Sequence, residues 1–220
     1  MIHKIIANLE KLTGRRIRHL TPRYLLDRIR SIIYELIHPN MPWLAPDAFV
    51  FISALLRSGD QGLEYGSGRS TVWFASKTRH LTSVEHSPDW HARVFKMLRI
   101  NPCRNVRQML IRADEKSSKD INKIAYLTAR GETGRVCYDY ILIDGLYRDL
   151  CANVAIRALR PGGLLIVDNI QWYLPSITCT PGGVTRPASK SWRKFSATVS
   201  TWRNVRFSNG ITDTAIWIKP

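Results

Sequence analysis

A chain of 220 residues, 45% of them hydrophobic, is long enough for one α/β domain that buries roughly 70% of its unfolded surface without metal or disulfide staples. Its 33 Lys and Arg outnumber its 17 Asp and Glu, a net charge of +16 that suits nucleic acid, phosphorylated substrates or an anionic membrane face, or else a merely solubilising basic surface. Cys103, Cys137, Cys151 and Cys179 form no CxxC pair, which argues against a zinc site or a disulfide framework and for a reducing cytoplasm; no apolar run approaches the roughly 20 residues of a membrane span, and Asn8, Glu10 and Lys11 interrupt any signal-peptide core.

In chain order, Ile2, Ile5, Ile6, Leu9 and Leu12 share one helical face that ends near Gly14. Thr21-Pro22 supplies a capping hydroxyl and a first-turn proline, after which Leu25, Leu26, Ile29, Ile32, Ile33 and Leu36 form an apolar stripe stopped by His38-Pro39. Residues 1–40 hold eight Lys/Arg against three acids, so residues 1–44 read as a basic amphipathic extension. It can pack on its own domain, on a partner subunit or on a membrane surface. Met41 to Pro46 is a stiff linker, and the main domain runs from 45 to 220. A helix over Asp47–Arg57, ended by Gly59, leads into a strand that finishes at Glu64-Tyr65. Gly66-Ser67-Gly68 then turns the chain into a helix over Ser70–Lys77. A strand over His80–Glu85, a helix from Ser87-Pro88 through Leu98, and strands at Val106–Ile111 and Tyr138–Ile143 follow. Next come a helix at Leu150–Leu159, a Pro161-Gly162-Gly163 turn, and a strand at Leu164–Val167 that ends in Asp168-Asn169. Gln171–Ser189, rich in Pro, Gly and Thr, reads as a loop that serves as lid or substrate contact. Val205–Phe207 and Thr214–Ile218 form a β-hairpin around Asn209-Gly210.

Alternating strands and helices imply an α/β fold: a Rossmann-like doubly wound sheet, mostly parallel, with a C-terminal antiparallel hairpin and an N-terminal helical extension. Ligands collect at the carboxyl ends of such strands, and Glu64, Glu85, Asp114, Asp144 and Asp168 are all placed there. The two glycines let the backbone turn tightly beside a ligand. Glu85, nineteen residues after Gly66, is positioned to accept hydrogen bonds from a ribose diol. A dinucleotide site wants a third glycine where Thr71 stands, and Glu64 would repel a pyrophosphate. A carboxylate instead attracts the ammonium and sulfonium of S-adenosylmethionine, which carries no phosphate.

The chain resembles the class I S-adenosylmethionine-dependent methyltransferases over about 45–220, in an uncharacterised bacterial branch distantly similar to catechol O-methyltransferase-like enzymes. The superfamily resemblance rests on Glu64-Tyr65-Gly66-Ser67-Gly68, on the acid Glu85, on Arg160-Pro161-Gly162-Gly163 and on the closing hairpin, and the bacterial branch on Pro42-Trp43-Leu44-x-Pro46-Asp47 and the ending Asp213–Pro220. It implies that Gly66 and Gly68 pass under the methionine and ribose, with Tyr65, Ser67 and Ser70 beside them. Glu64 would face the amino-acid end, Glu85 would hold the ribose hydroxyls, and His86, Ala113 and Asp114 would lie by the adenine. Asp144 with Asp168-Asn169 is similar to the metal-ligand set of the catechol enzymes and offers three oxygens that suit Mg²⁺. The alternative is that Asp144 positions cofactor or substrate and Asp168-Asn169 caps a turn. Arg148, one helical turn beyond Asp144, either binds an anionic substrate group or pairs with Asp144.

Methylation of an exocyclic base amine is disfavoured, because Asp144-Gly145-Leu146-Tyr147 stands where an Asn/Asp-Pro-Pro-aromatic tetrapeptide is needed. Cytosine-C5 chemistry needs a Pro-Cys nucleophile, and Pro102-Cys103 lies before the third strand. Oxygen remains, on a small or saccharide-type acceptor, an anionic one suiting the basic surface, with Asp144, Arg148, Asp168 and Asn169 as the catalytic set. The rivals are an RNA methyltransferase and a basic non-enzymatic adaptor of the same fold.

Overall fold

The structure, a computed structural model, describes residues 21–101, 103–113, 122–129, 137–178 and 180–220. The amphipathic segment expected at residues 2–14 and the acid Asp114 lie outside them. The elements in order are α1 (Pro22–Ile37), α2 (Pro46–Leu55), β1 (Gln61–Tyr65), α3 (Arg69–Ala75), β2 (His80–Glu85), α4 (Pro88–Ile100), β3 (Val106–Leu110), α5 (Lys123–Leu127), β4 (Tyr138–Ile143), α6 (Arg148–Ala158), β5 (Leu159–Asp168), a 3₁₀ turn (Ile170–Trp172), α7 (Lys190–Thr198), β6 (Arg203–Ser208) and β7 (Asp213–Ile218).

The seven strands order as β3-β2-β1-β4-β5-β7-β6. The first five pair in parallel, and β7 is antiparallel to both β5 and β6. Chain order reverses direction between β1 and β4, and a doubly wound sheet opens its ligand crevice at such a switch. The Pro-Gly-Gly segment, expected to turn into a strand starting at Leu164, is instead a bulge within β5. Tyr138 pairs with Leu159 but Tyr140 pairs with Leu164. Gly162 takes φ +76°, and the β7 end ties the bulge down through Gly162 N to Lys219 O at 2.8 Å.

Alternate residues of the buried strands supply two cores. Leu63, Tyr65, Ile141, Ile143, Leu165 and Val167 pack under α6 and α7; Leu81, Tyr140, Leu142, Leu164 and Ile166 pack under α2 and α3. Helix α7 was not expected from sequence. Trp192 and Phe195 anchor it, Phe195 lying edge-on to Trp217 of β7 at 5.2 Å. The loop before it is anchored rather than free: Tyr173 stacks on Trp192 at 5.0 Å, and Thr178 and Thr180 both donate to Asp213 at 2.5 Å.

Helix α1 starts where expected, Thr21 Oγ1 accepting from Tyr24 N at 3.1 Å. Its orientation is unusual. Tyr24, Asp27, Ser31 and Tyr34 are its less exposed residues, whereas the aliphatic stripe faces outward. The helix presents its polar side to the domain. Among the described residues no helix is long and apolar enough to cross a membrane.

Candidate active site

The turn after β1 depends on one glycine. Gly66 has φ +89°, and a Cβ there would lie 2.6 Å from the Gly145 amide nitrogen, so backbone occupies the space of any side chain. This approach brings the β1 and β4 exits together: Asp144 N donates to Tyr65 O and Gly66 N to Val84 O, both at 2.8 Å. Gly68 is extended, and a Cβ on it would meet only Ser70 Oγ, at 3.8 Å. It borders open space.

That space is a cavity of about 220 Å³ lined by Gly66, Ser67, Gly68, Arg69 and Ser70 of the turn, by Glu85, Trp90 and Asp144, and by Pro42, Trp43 and Leu44 of the linker. Glu85 is 2% exposed, and both its oxygens are engaged. Oε2 accepts from Ser67 N (2.9 Å) and Ser67 Oγ (3.1 Å); Oε1 accepts from His86 N and Ser87 N (both 2.8 Å), with His86 Nδ1 at 2.9 Å. Burial raises this carboxyl's pKa, but the contacts from His86, Ser87 and Ser67 together outweigh it and leave it below the ordinary value. Asp144 has a 37% exposed side chain with Oδ1 2.8 Å from Arg148 Nη2. Desolvation raises its pKa most, Arg148 opposes this, and the charge of Glu85 adds to the rise.

The linker and α4 contribute two tryptophans that the sequence did not place at the site. Trp43 and Trp90 stack at 6.1 Å and 28°, with Arg69 over Trp43 at 4.9 Å and Arg93 over Trp90 at 5.6 Å. Trp90 Nε1 also donates to Ser67 O. Arg69 Nη1 is buried with no hydrogen-bond partner. The available signal was two tryptophans flanking the glycine turn in sequence, but only the fold makes them neighbours.

Of the residues expected beside the cofactor, Glu64 and Tyr65 do not line the cavity, and Ser70 lines it with its hydroxyl engaged. Glu64 is fully buried behind the turn, accepting from Ser70 Oγ, from Thr71 Oγ1 (2.6 Å) and from Ser83 Oγ (2.7 Å), so its carboxyl does not line the cavity. Burial, resisted by those three hydroxyls, lifts its pKa from 4.5 to about 7. Tyr65 points to the opposite core, where its hydroxyl donates to Leu127 O at 2.8 Å. Successive strand residues face opposite sides, so Glu64 and Tyr65 cannot both face one ligand. Ser70 lines the cavity but gives its hydroxyl to Glu64. His86 borders Glu85 with a 34% exposed side chain, and Ala113 packs on the core.

At the β4 and β5 exits a guanidinium lies where the oxygens converge. Arg148 donates to Gly145 O (3.1 Å), Asp144 O (2.7 Å), Asp168 O (2.7 Å) and Asn169 Oδ1 (2.9 Å), and pairs with the Asp144 carboxylate. Asn169, at φ +52°, gives its amide to Thr212 Oγ1 at 2.7 Å. Asp168 is 3% exposed and accepts from Thr214 Oγ1 at 2.7 Å; burial first, then the Asp144 charge, raises its pKa to about 8. Of the oxygens suggested for Mg²⁺, Asp144 Oδ1 and Asn169 Oδ1 are thus taken by Arg148 and Asp168 Oδ1 by Thr214, and this arrangement does not fit a divalent ion. Among the described residues no group of three or more His, Cys, Asp or Glu side chains converges as a metal site. Arg148 pairs with Asp144, one of its two expected roles.

No protein-family model matches the chain, and no curated protein matches it in sequence. Solved structures match it in shape. A proposed O-methyltransferase from Klebsiella pneumoniae is 20% identical with a TM-score of 0.56, over 99% of this chain and 97% of its own. A proposed rRNA-methylase from Clostridium thermocellum is 13% identical with a TM-score of 0.55, over 79% and 93%. A proposed methyltransferase from Streptococcus mutans, solved in complex with SAH, is 11% identical with a TM-score of 0.53, over 79% and 96%. At such identities the likeness is one of architecture. The chain has the fold of the class I S-adenosylmethionine-dependent methyltransferases.

Proposed function

We propose that the protein is an S-adenosylmethionine-dependent methyltransferase acting on a hydroxyl oxygen of a small or saccharide-type acceptor. One observation carries this reading: Glu85, Asp144 and Arg69 line a single cavity at the β1/β4 switch. The donor carries a ribose diol, a cationic sulfonium and ammonium, and a carboxylate, a charge pattern that complements that set. Ribose hydroxyls would displace the Ser67 hydroxyl from Glu85, and Arg69 would take the carboxylate. Trp43 and Trp90 would exclude water from one side, with His86 and Ala113 toward the adenine. Glu64, Tyr65 and Ser70 would then act from behind, holding the turn in shape.

Transfer forms an oxygen–carbon bond as the methyl carbon–sulfur bond breaks and its electron pair stays on sulfur. The acceptor proton needs a base about 3 Å away. Asp144 fits that role, being exposed to the cavity and raised in pKa, with Arg148 and Asn169 setting its position. The free thiols of Cys103, Cys137 and Cys151 suit a reducing cytoplasm.

Titration calorimetry with S-adenosylmethionine tests the reading. We expect single-site binding, weakened about tenfold or more in Glu85→Ala by the loss of charged hydrogen bonds. Absence of any binding heat would leave a basic adaptor that merely has this fold. A second reading, RNA as acceptor, is favoured by the +16 charge and by the likeness to an rRNA-methylase.

A further inference from the structure

We propose that α1 docks on an anionic lipid surface, its aliphatic stripe lying in the headgroup–acyl boundary. No residue of α1 is buried, and Leu25, Leu26, Ile29, Ile32, Ile33 and Leu36 are 46% to 75% exposed. Six exposed aliphatic side chains side by side on one helix face, flanked by charges, are the pattern of an interfacial amphipathic helix. The helix does not simply lack a place to turn this stripe, because its other face is already committed. Asp27 sits against Gly210 of the β6–β7 turn and pairs with Arg23 and Arg30 at 3.8 and 3.4 Å. Ser31 and Tyr34 line two hollows, of 530 and 320 Å³, between helix and domain.

The charges indicate the occupant. At about 3.6 residues per turn, Arg23 and Arg30 fall on one flank of the stripe and Arg28 on the other, all three exposed. Arginines on both flanks can reach headgroup phosphates while the aliphatic chains sink between lipids. The preceding sequence adds Lys4, Lys11, Arg15, Arg16 and Arg18. A second copy fits less well, since it brings its own +16. A 16-residue helix, about 24 Å long and about 10 Å wide, also projects only roughly 240 Å², against about 800 Å² per partner in a stable interface. RNA would use the arginines but leave the stripe in water.

Placement links this surface to the cavity. The linker after α1 supplies Pro42, Trp43 and Leu44 both to the 220 Å³ cavity and to the 320 Å³ hollow lined by Arg28, Ser31, Tyr34 and Glu35. A lipid-docked α1 therefore sets the cavity rim beside the membrane. On the methyl-transfer reading, acceptors carried on lipid would meet it there; the docking itself does not depend on that reading.

The test is co-sedimentation of the full chain with phosphatidylcholine vesicles, with and without phosphatidylglycerol. We expect binding only to the anionic vesicles. The triple variant Leu26→Glu, Ile29→Glu, Ile33→Glu should lower the bound fraction at least tenfold with an unchanged melting temperature, because all three side chains are exposed. Ile29→Trp should retain binding. Absence of vesicle binding, equal binding to neutral vesicles, or undiminished binding by the folded triple variant would overturn the proposal. So would a lipid-free dimer in sedimentation equilibrium that the triple variant dissociates.

Discussion

Arg69 brings a guanidinium to a cavity whose other charged lining groups are Glu85 and Asp144, and its Nη1 is buried without a hydrogen-bond partner. An unpaired buried donor is costly, and a carboxylate is the partner that repays most. This supports a division of labour in which Arg69 reads the amino-acid end of the donor and Glu85 reads the ribose. The two can be separated with ligands. Arg69→Ala should weaken S-adenosylhomocysteine binding about 10- to 100-fold, the roughly 1.5–3 kcal/mol of a charged hydrogen bond. It should hardly affect 5′-methylthioadenosine, which has no carboxylate. Equal losses for both ligands would mean that Arg69 serves only to stack on Trp43. Sequence reading had every reason to mark Glu85, which ends a strand at a known register. It had none to mark Arg69, because an arginine beside a glycine turn is unremarkable until burial removes its partners.

The element built by β1, the glycine turn and α3 has its own electrostatic signature. Glu64 holds α3 to the sheet by accepting Ser70 and Thr71 hydroxyls from the helix and Ser83 from β2. Its folded pKa of about 7 lies above the ordinary 4.5, so the folded state binds the proton more tightly than the unfolded chain. The sign follows: this contribution is fully present below about pH 4.5 and is lost as pH rises to about 7. The loss is on the order of 3 kcal/mol for this fully buried group. Glu64→Gln should therefore lose less stability than the parent between about pH 5 and about pH 8 in urea titrations. Parallel profiles for the two proteins would show that the carboxyl ionises without penalty. At the neighbouring exits of β4 and β5, Arg148 gathers the Asp144 carboxylate, the Asp168 backbone carbonyl and the Asn169 amide oxygen, on residues for which a metal was one of two readings. Spacing put those oxygens on adjacent strands correctly, but it could not decide whether a metal or a side-chain cation lies between them. Both answers use the same residues.

Across the whole molecule the excess of basic residues distinguishes the two acceptor classes by salt. RNA bound through phosphates is released steeply as salt rises, because counterions must be recovered. If the acceptor is small, methylation measured on a small hydroxyl compound should fall little over a salt range that abolishes any transfer to RNA. Comparable steep losses on both substrates would favour the RNA reading. Strands β4, β5 and β7 were legible because each carries a short apolar run, Tyr140–Ile143, Leu164–Val167 and Ala215–Ile218, and such runs fit a sheet covered on both faces. The closing hairpin showed itself through Asn209-Gly210, although its loop extends to Thr212, with Asn209 Oδ1 accepting two backbone amides at 2.9 Å. Helix α7 stayed hidden because only Trp192 and Phe195 give it an apolar face within a basic stretch, and a pair of aromatics makes no period. By itself the sequence determined the α/β alternation, the two-glycine turn, the acids at the strand ends and the existence of the aliphatic stripe on α1. All of these are local patterns of period, φ preference and residue type. Only the tertiary structure decided which carboxylates face the cavity, which cation lies between the last two strands of the parallel set, and that the stripe points away from the domain. Those outcomes depend on which groups distant parts of the chain bring within hydrogen-bonding or packing range, and a linear pattern carries no record of that.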